Sequence, residues 1–436
     1  MASRRQFLQA SASLLGAVAA ADAASGSAAP GAAADFAIPP TDKPPQQLAA
    51  DEAHWQAVGR LYPQQEAIIN LEHGYWGQMA TPVEEAFVEN TRRVNRELAW
   101  YARRHYGGDF IAAIDAVAGA LGAARSEIML TRNASEAFVN LITQYRSLER
   151  GDGILWADAD YPSFQRMLRW LATERGAEGR RLSLPPRAAA PELLRLYTDA
   201  IADMPRLKLL LLTHVSNQHG LVLPVREIAA FARERGIDVI CDCAQSWGLL
   251  DFRLDDLAVD WAVFNLHKWI GSPVGVGALY MRDGTREPVA PFPGEAPGDE
   301  HVRNRVHLAT SDFAAFLTVP TALAFHRAIG GANKEARLRH LRRQWVAALR
   351  DVPQVELLGA ADEGSSTGMG SLRLRGESSE AAVSTLQQTL EREHGIFTVL
   401  RKGLASGCCI RVTPQVYTPS RHLHALAEAI GRIARG

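Results

Sequence analysis

The sequence predicts an α/β protein on a mainly parallel sheet. Three observations carry that expectation: apolar runs of strand length recur through the middle of the chain, helical patterns separate them, and the clearest run is continuous rather than alternating. Continuous runs suit strands covered by helices on both faces, and the alternation of strand and helix suits βαβ units. Leu207 to Val215 (LKLLLLTHV) is the clearest strand. Pro224 to Arg235 follows as a helix, with Pro near its start, apolar Val225, Ile228, Ala229 and Phe231, and Gly236 as its stop. Asp238 to Cys243 and Trp261 to Asn265 read as the next strands, and Val276 to Met281 as another after a glycine-rich turn. Upstream, Glu127 to Thr131 and Gly153 to Ala157 read as strands, with a helix from Ser135 between them. From about Asn333 the pattern changes to a long basic helix (Asn333 to Arg350), short strands (Ser371 to Leu374, Cys409 to Val412) and a closing helix near Pro419 to Ile433. The expected organisation is a large domain over 46–330 and a smaller α+β domain over 331–436.

Composition narrows the function. The 436 residues hold Lys+Arg 47 against Asp+Glu 48, with 47% hydrophobic residues. Those proportions exclude a disordered, collagen-like or coiled-coil chain, and the balanced charge gives no footprint for nucleic acid. The four cysteines (Cys241, Cys243, Cys408, Cys409) have neither the number for a disulfide framework nor C-x-x-C metal spacing, so they read as buried thiols and no metal site is expected.

The N-terminus reads as an address. Ser3 to Leu8 (SRRQFL) precedes an Ala- and Ser-rich run from Ala10 to Ala21, too short for the roughly 20 residues a membrane span requires. Ala21-Asp22-Ala23 offers a cleavage site. Residues 1–23 resemble a twin-arginine signal peptide, and 24–45, dense in Ala, Gly, Ser and Pro, read as a flexible linker. The expectation is an exported, periplasmic protein that meets the twin-arginine translocase and has no membrane span once mature.

Ligands in such sheets sit at the carboxyl ends of the strands. There the chain places Thr131-Arg132-Asn133-Ala134-Ser135, then Ser216 and Asn217, then Asp242, Ala244 and Gln245, then His267-Lys268-Trp269 followed by Gly271, Gly275 and Gly277. Small residues and a hydroxyl at a helix start suit a phosphate. Asp242 and Lys268 are 26 residues apart (268 − 242), one strand–connection–strand step, and can approach opposite parts of one small aromatic ring. The dinucleotide fingerprint G-x-G-x-x-G is missing after every strand.

Blocks NLEHGYWGQMATP (70–82), TRNASEA (131–137), THVSNQHGLVLPVREI (213–228), DCAQSWG (242–248), HKWIGSPVGVGALY (267–280) and IRVTPQVY (410–417) run in the order found in the class V aminotransferase family of pyridoxal 5'-phosphate (PLP) enzymes, fold type I. The HGYWG and Arg411 blocks look most like its isopenicillin N epimerase branch. The resemblance implies a fold type I sheet of the seven-stranded kind and PLP as cofactor. It implies Lys268 as the Schiff-base lysine that later moves the Cα proton, and Asp242 as partner of the pyridinium nitrogen. Gln245 and Asn217 are carried over for the ring hydroxyl; Ala134, Ser135 and His267 for the phosphate; Tyr161 for stacking on the ring. Arg411 is carried over for the substrate carboxylate, His73 and Tyr75 for the substrate pocket, and Thr310 for a phosphate contact from a partner subunit, which implies a homodimer. The pattern departs at Asn265, where many relatives have a phosphate-binding Ser or Thr, and at Ala309, a usual glycine. No cysteine lies between His394 and Ser406, where desulfurases of this fold carry their sulfur acceptor, so a persulfide mechanism is not expected. The implied activity is at Cα of an amino acid or an amino-acid-containing natural product. Exported relatives that tailor the glutamyl residue of a pyoverdine-type siderophore suggest an alternative reaction. A non-catalytic exported binding protein on the same fold is a further alternative, which the intact Asp242, Lys268 and Arg411 argue against.

Overall fold

The structure, a computed structural model, describes residues 36–63, 67–295, 301–360 and 362–436. The expected signal peptide, Ser3 to Leu8 included, lies outside the described residues. In chain order the strands are β1 (Ile69–Asn70), β2 (Ile128–Thr131), β3 (Gly153–Ala157), β4 (Glu178–Leu182), β5 (Leu207–Thr213), β6 (Asp238–Asp242) and β7 (Trp261–Asn265). They continue as β8 (Gly277–Met281), β9 (Val355–Leu358), β10 (Gly370–Leu374), β11 (Ile396–Phe397), β12 (Val399–Arg401) and β13 (Cys409–Val412).

Seven of them form the main sheet in the order β2-β8-β7-β6-β5-β3-β4. The neighbours from β7 through β6, β5 and β3 to β4 pair parallel. β8 runs against both β7 and β2. The physical reason is the connection: β7 and β8 are joined by the short loop 266–276, too short for the crossover a parallel pair needs. This is the fold type I architecture that the sequence implies. Both β5 and β7 are buried along almost their whole length, which accounts for their unbroken apolar runs. β4 (EGRRL) is exposed at the sheet edge, where charged side chains block further pairing, and its polar sequence gave no strand signal.

The second sheet, β12-β13-β10-β9, is antiparallel and has its own core around Leu341, Trp345, Leu372, Leu386, Ile410 and Leu423. The helices Gly331–Leu349, Glu380–His394 and Ser420–Ile433 supply most of it. Two corrections concern the N-terminal segment. The flexible linker expected over 24–45 is ordered at its C-terminal end: Phe36 is buried and meets Phe325 edge-on at 5.2 Å, because an aromatic ring with an apolar partner leaves water. The residues that follow, grouped by sequence with the large domain, join both cores. Trp55 and Val58 pack in the first, whereas Leu71 packs in the second and β1 pairs parallel with β11. Residues 72–77 are thereby led across the carboxyl ends of the main strands.

Candidate active site

Lys268 follows β7 in the loop 266–276, and the chain clamps that loop from three sides. The Gly77 N–H donates to the His267 carbonyl at 2.8 Å. The Lys334 ammonium donates to the Trp269 carbonyl at 2.7 Å, and the Trp269 indole donates to Gln245 Oε1 at 2.9 Å. Gly77 passes so close that a Cβ there would stand 1.9 Å from the Lys268 carbonyl oxygen, so no other residue fits. Lys268 itself is half-buried, and burial pushes its pKa down to about 8 against the opposing pull of Asp242. Its Nζ makes no hydrogen bond among the described residues. A lysine held like this can lose its proton near neutral pH.

Asp242 ends β6, in register with Thr213 and beside Val263 of β7. One oxygen accepts the Ala244 N–H at 2.8 Å. Burial raises its pKa to about 6, opposed by that hydrogen bond and by Lys268. The two sequence-named catalytic groups are thus brought together as an acid and a base of shifted pKa in one buried place, the usual mark of a functional site.

The phosphate candidates are assembled by β2, β7 and β8. Gly277 is the register partner of both Thr131 and Asn265. A Cβ on it would meet Asn133 backbone at 2.6 Å, so glycine lets the 132–134 turn close over the sheet. Asn133 caps the helix Ala134–Gln144 by accepting from the Glu136 N–H. Asn265 Oδ1 accepts the Ala134 N–H at 2.8 Å. This corrects one expectation: the Ala134 N–H is already engaged, and the Ser135 N–H is left without a protein partner among the described residues. His267 Nδ1 lies 2.8 Å from the Val276 carbonyl, which fixes its proton there and leaves Nε2 open; burial lowers its pKa to about 4.

Other residues sit as follows. Asn217 is buried, and its Oδ1 has no partner among the described residues. Gln245 is engaged at both ends, with Nε2 on the Gly74 carbonyl at 2.8 Å and Oε1 under Trp269, so one amide hydrogen remains for a ligand. Tyr161 begins the helix Pro162–Arg175 and is 38% exposed, so it is not a core tyrosine. Thr310 is exposed in the single chain, after Ala309, whose φ of 48° is the left-handed geometry that a glycine would adopt freely. Arg411 is fully buried: its Nη1 donates to the Asn217 carbonyl at 2.8 Å, and its Nη2 to Glu72. The resemblance offers this fork to a substrate; within the protein a carbonyl holds one terminal nitrogen and a carboxylate the other. His73 is buried beside Tyr417, while Tyr75 and Trp76 stand exposed on the wall of a cleft of about 1360 Å³ that also takes in Glu72, Arg401, Tyr417 and His422. Sequence reasoning missed Glu72, Arg401 and Lys334. Glu72 carried a usable signal, a lone carboxylate among the glycines and aromatics of the block 70–82.

An aromatic cofactor with a phosphate tail fits this donor set. Asp242 and Lys268 suit its ring nitrogen and its carbonyl carbon, and Ser135 N–H with His267 Nε2 suits its phosphate. Fold and site together define a lysine-dependent, fold type I enzyme. Residues 94–421 match the family described as Aminotransferase class-V, and the chain belongs to that family of PLP-dependent enzymes. It is 27% identical over 394 residues to the isopenicillin N epimerase of Amycolatopsis lactamdurans, covering 85% of this chain and 96% of that protein. Among solved structures it resembles a cysteine desulfurase from Thermococcus onnurineus NA1 (TM-score 0.73, 20% identity, 85% of this chain and 95% of that one). It also resembles a variant of C-DES with glycine covalently linked to its PLP cofactor (TM-score 0.74, 22% identity, 85% and 98%). When bound, PLP supplies an electron sink for the pair released at Cα of a substrate.

Proposed function

We propose that this chain is an exported enzyme acting at Cα of an amino acid or an amino-acid-containing natural product, with epimerisation as its first reading. The observation that carries it is the Lys268–Asp242 pair of shifted pKa, with Lys268 in electrostatic reach of Glu72 and Arg401, which line a cleft of about 1360 Å³. Lys268 holds the cofactor and, once freed from it, accepts or returns the Cα proton. Asp242 keeps the ring nitrogen protonated. Gln245 and Asn217 bond the ring hydroxyl, and Ser135 with His267 holds the phosphate. The cleft is far larger than a free amino acid, which supports the second reading, tailoring of a glutamyl unit in a peptide siderophore.

The loop from His394 to Ser406 contains no cysteine, and Cys409 is buried with its thiol pushed up to about 11, which speaks against a persulfide reaction. The reading of an exported homodimer draws on SRRQFL at 3–8, the exposure of Thr310, and the exposed apolar residues Leu98 and Trp100. Purified protein is expected to be yellow, to bleach with borohydride, and to lose the colour in Lys268→Ala. With candidate amino acids in deuterium oxide, label entering Cα without net product indicates epimerisation. Protein that stays colourless with added PLP would be a binding module instead.

A further inference from the structure

The chemistry at Lys268 makes no use of the arginine-rich face of the basic helix. Arg342, Arg343, Val346 and Arg350 follow Arg339 at spacings of 3, 4, 7 and 11, so Gly331–Leu349 and its C-cap turn all five to one side. That side lines a cavity of about 560 Å³, to which Arg187, Leu357 and Ser366 also contribute. The cavity lies where two segments meet: 183–189, after β4 of the main sheet, and 359–367, between β9 and β10 of the second. The Gly359 N–H donates to the Pro186 carbonyl at 2.7 Å, and the Ala190 N–H to Ser365 Oγ at 2.9 Å.

Part of this charge holds the walls. Arg339 pairs with Glu335 at 2.8 Å and donates to the Glu363 and Ser366 carbonyls, and Arg343 pairs with Glu363 at 2.7 Å. Arg350 stands at the helix C-terminus, where the helix dipole favours a cation. Arg342 and Arg187 have no such account. Arg342 is buried; its Nη2 donates to the Ala360 carbonyl at 3.1 Å, while Nε and Nη1 have no partner among the described residues. Arg286, Arg337, Arg373 and Arg411 are buried likewise, and each meets a carboxylate. Arg342 meets none among the described residues, and burial with repulsion from Arg339 pushes its pKa down to about 10. Arg187, exposed on the cavity wall, has no ion pair among the described residues either. Glu356 feels its charge, but Arg373 holds both oxygens of that carboxylate. A buried cation without a counter-ion is costly, so the cavity favours an anion.

We propose that this cavity binds a small polyphosphate-bearing molecule, held by Arg187 from the main-sheet side and by Arg342 and Arg350 from the helix. Arginine forks match phosphate oxygens, and a tetrahedral phosphate accepts from several guanidiniums where a planar carboxylate takes one fork. Arg342 and Arg350 are 8 residues apart (350 − 342), about 12 Å along the helix, a span for a chain of phosphates rather than a single one. The volume suits a molecule of nucleotide size, and Val346 and Leu357 offer an organic part an apolar wall. None of these residues lines the cleft beside Lys268, so the site is independent of the chemistry proposed there. A ligand tying segment 183–189 to the helix stabilises the folded chain by mass action.

The test uses full-length, PLP-loaded protein, so that the phosphate place at Ser135 and His267 is filled. Tripolyphosphate, ATP, inorganic phosphate and citrate are titrated by calorimetry at constant ionic strength, with the cofactor absorbance followed in parallel. Wild type is expected to bind one tripolyphosphate or ATP per chain, about tenfold or more tightly than inorganic phosphate or citrate, without moving the absorbance. ATP should bind at least as well as tripolyphosphate, and either should raise the melting temperature. Arg342→Gln and Arg187→Gln should each weaken tripolyphosphate by about tenfold, the worth of one charge-assisted contact. Arg392→Gln removes an exposed charge from the helix Glu380–His394 and should leave the affinity within about twofold, the residue of long-range screening. Wild-type protein that binds neither tripolyphosphate nor ATP, three variants that weaken them equally, or a change in cofactor absorbance overturns the site. Citrate bound as tightly as tripolyphosphate overturns the choice of phosphate, and ATP bound more weakly than tripolyphosphate overturns the apolar wall. Arg187 is exposed, so Arg187→Gln decides the matter if Arg342→Gln does not fold.

Discussion

Asp242 shows how one residue ties stability to function. Its pKa of about 6 in the fold stands above the ordinary 3.8, so between those values the folded protein binds more protons than the unfolded chain. Stability contributed by this group therefore falls as pH rises through that window, and the penalty is complete above about 6. Without cofactor, Asp242→Asn is expected to be more stable than wild type at neutral pH, by about 3 kcal/mol at most. The advantage should grow between about pH 4 and pH 6, as read by thermal melts of both proteins across pH. The same variant should lose activity, because a neutral amide cannot keep a ring nitrogen charged. Lys268 runs the other way: its lowered pKa puts the penalty below about 8, relieved as pH approaches the ordinary 10.5. Asn265 makes a second case. This departure from the family pattern accepts the Ala134 N–H at a helix start, so Asn265→Ala should cost about 1–2 kcal/mol in a denaturant titration, the loss of a helix cap. PLP retention should weaken with it, since the 133–135 turn loses its tether.

Among the elements, the loop that carries Lys268 depends on close backbone approach. Gly77→Ala should prevent residues 72–77 from closing over it, giving a loss of several kcal/mol and poor PLP uptake, measured by melting and by absorbance. Gly108→Ala is the matched control. It sits in the helix Tyr106–Leu121 with nothing within 4 Å of the added methyl, so about 0.5–1 kcal/mol of stabilisation is expected. Legibility at this scale followed burial. β3, β5, β6 and β7 were read from sequence nearly to their ends because covered parallel strands must be apolar throughout. β1, β9, β11 and β12 were not read, since they are short; β1 and β11 moreover owe their pairing to each other across most of the chain, whereas β9 and β12 pair with the neighbouring β10 and β13. The basic helix was read as an element, but Lys334 within it was not singled out. Nothing local shows that its ammonium is buried against the Trp269 carbonyl.

Across the whole molecule, the strand-end rule made most of the site legible: Lys268, Asp242, Asn217, Gln245, Ser135 and His267 each follow a strand or open a helix. Glu72 and Arg401 belong to the site through the second sheet, and no rule of spacing joins residue 72 to residue 411. The proposed dimer belongs to this scale too. Leu98, 66% exposed, has φ of 53°, a strained geometry for a leucine, and Trp100 is 60% exposed on the same helix. Sedimentation should show a dimer, and Trp100→Asp should shift it toward monomer; a wild-type monomer at micromolar concentration would refute the shared-site reading. The pairing of β1 with β11 and the bridge from Glu72 to Thr413 have a consequence for biogenesis. Residues 72–77, which pin the Lys268 loop, are made on the ribosome well before β11 and Thr413, which anchor them. The main sheet can assemble while synthesis continues, but the pocket cannot close until residues 396–413 have emerged, so a chain truncated before residue 396 would keep its reactive lysine and lack the walls around it.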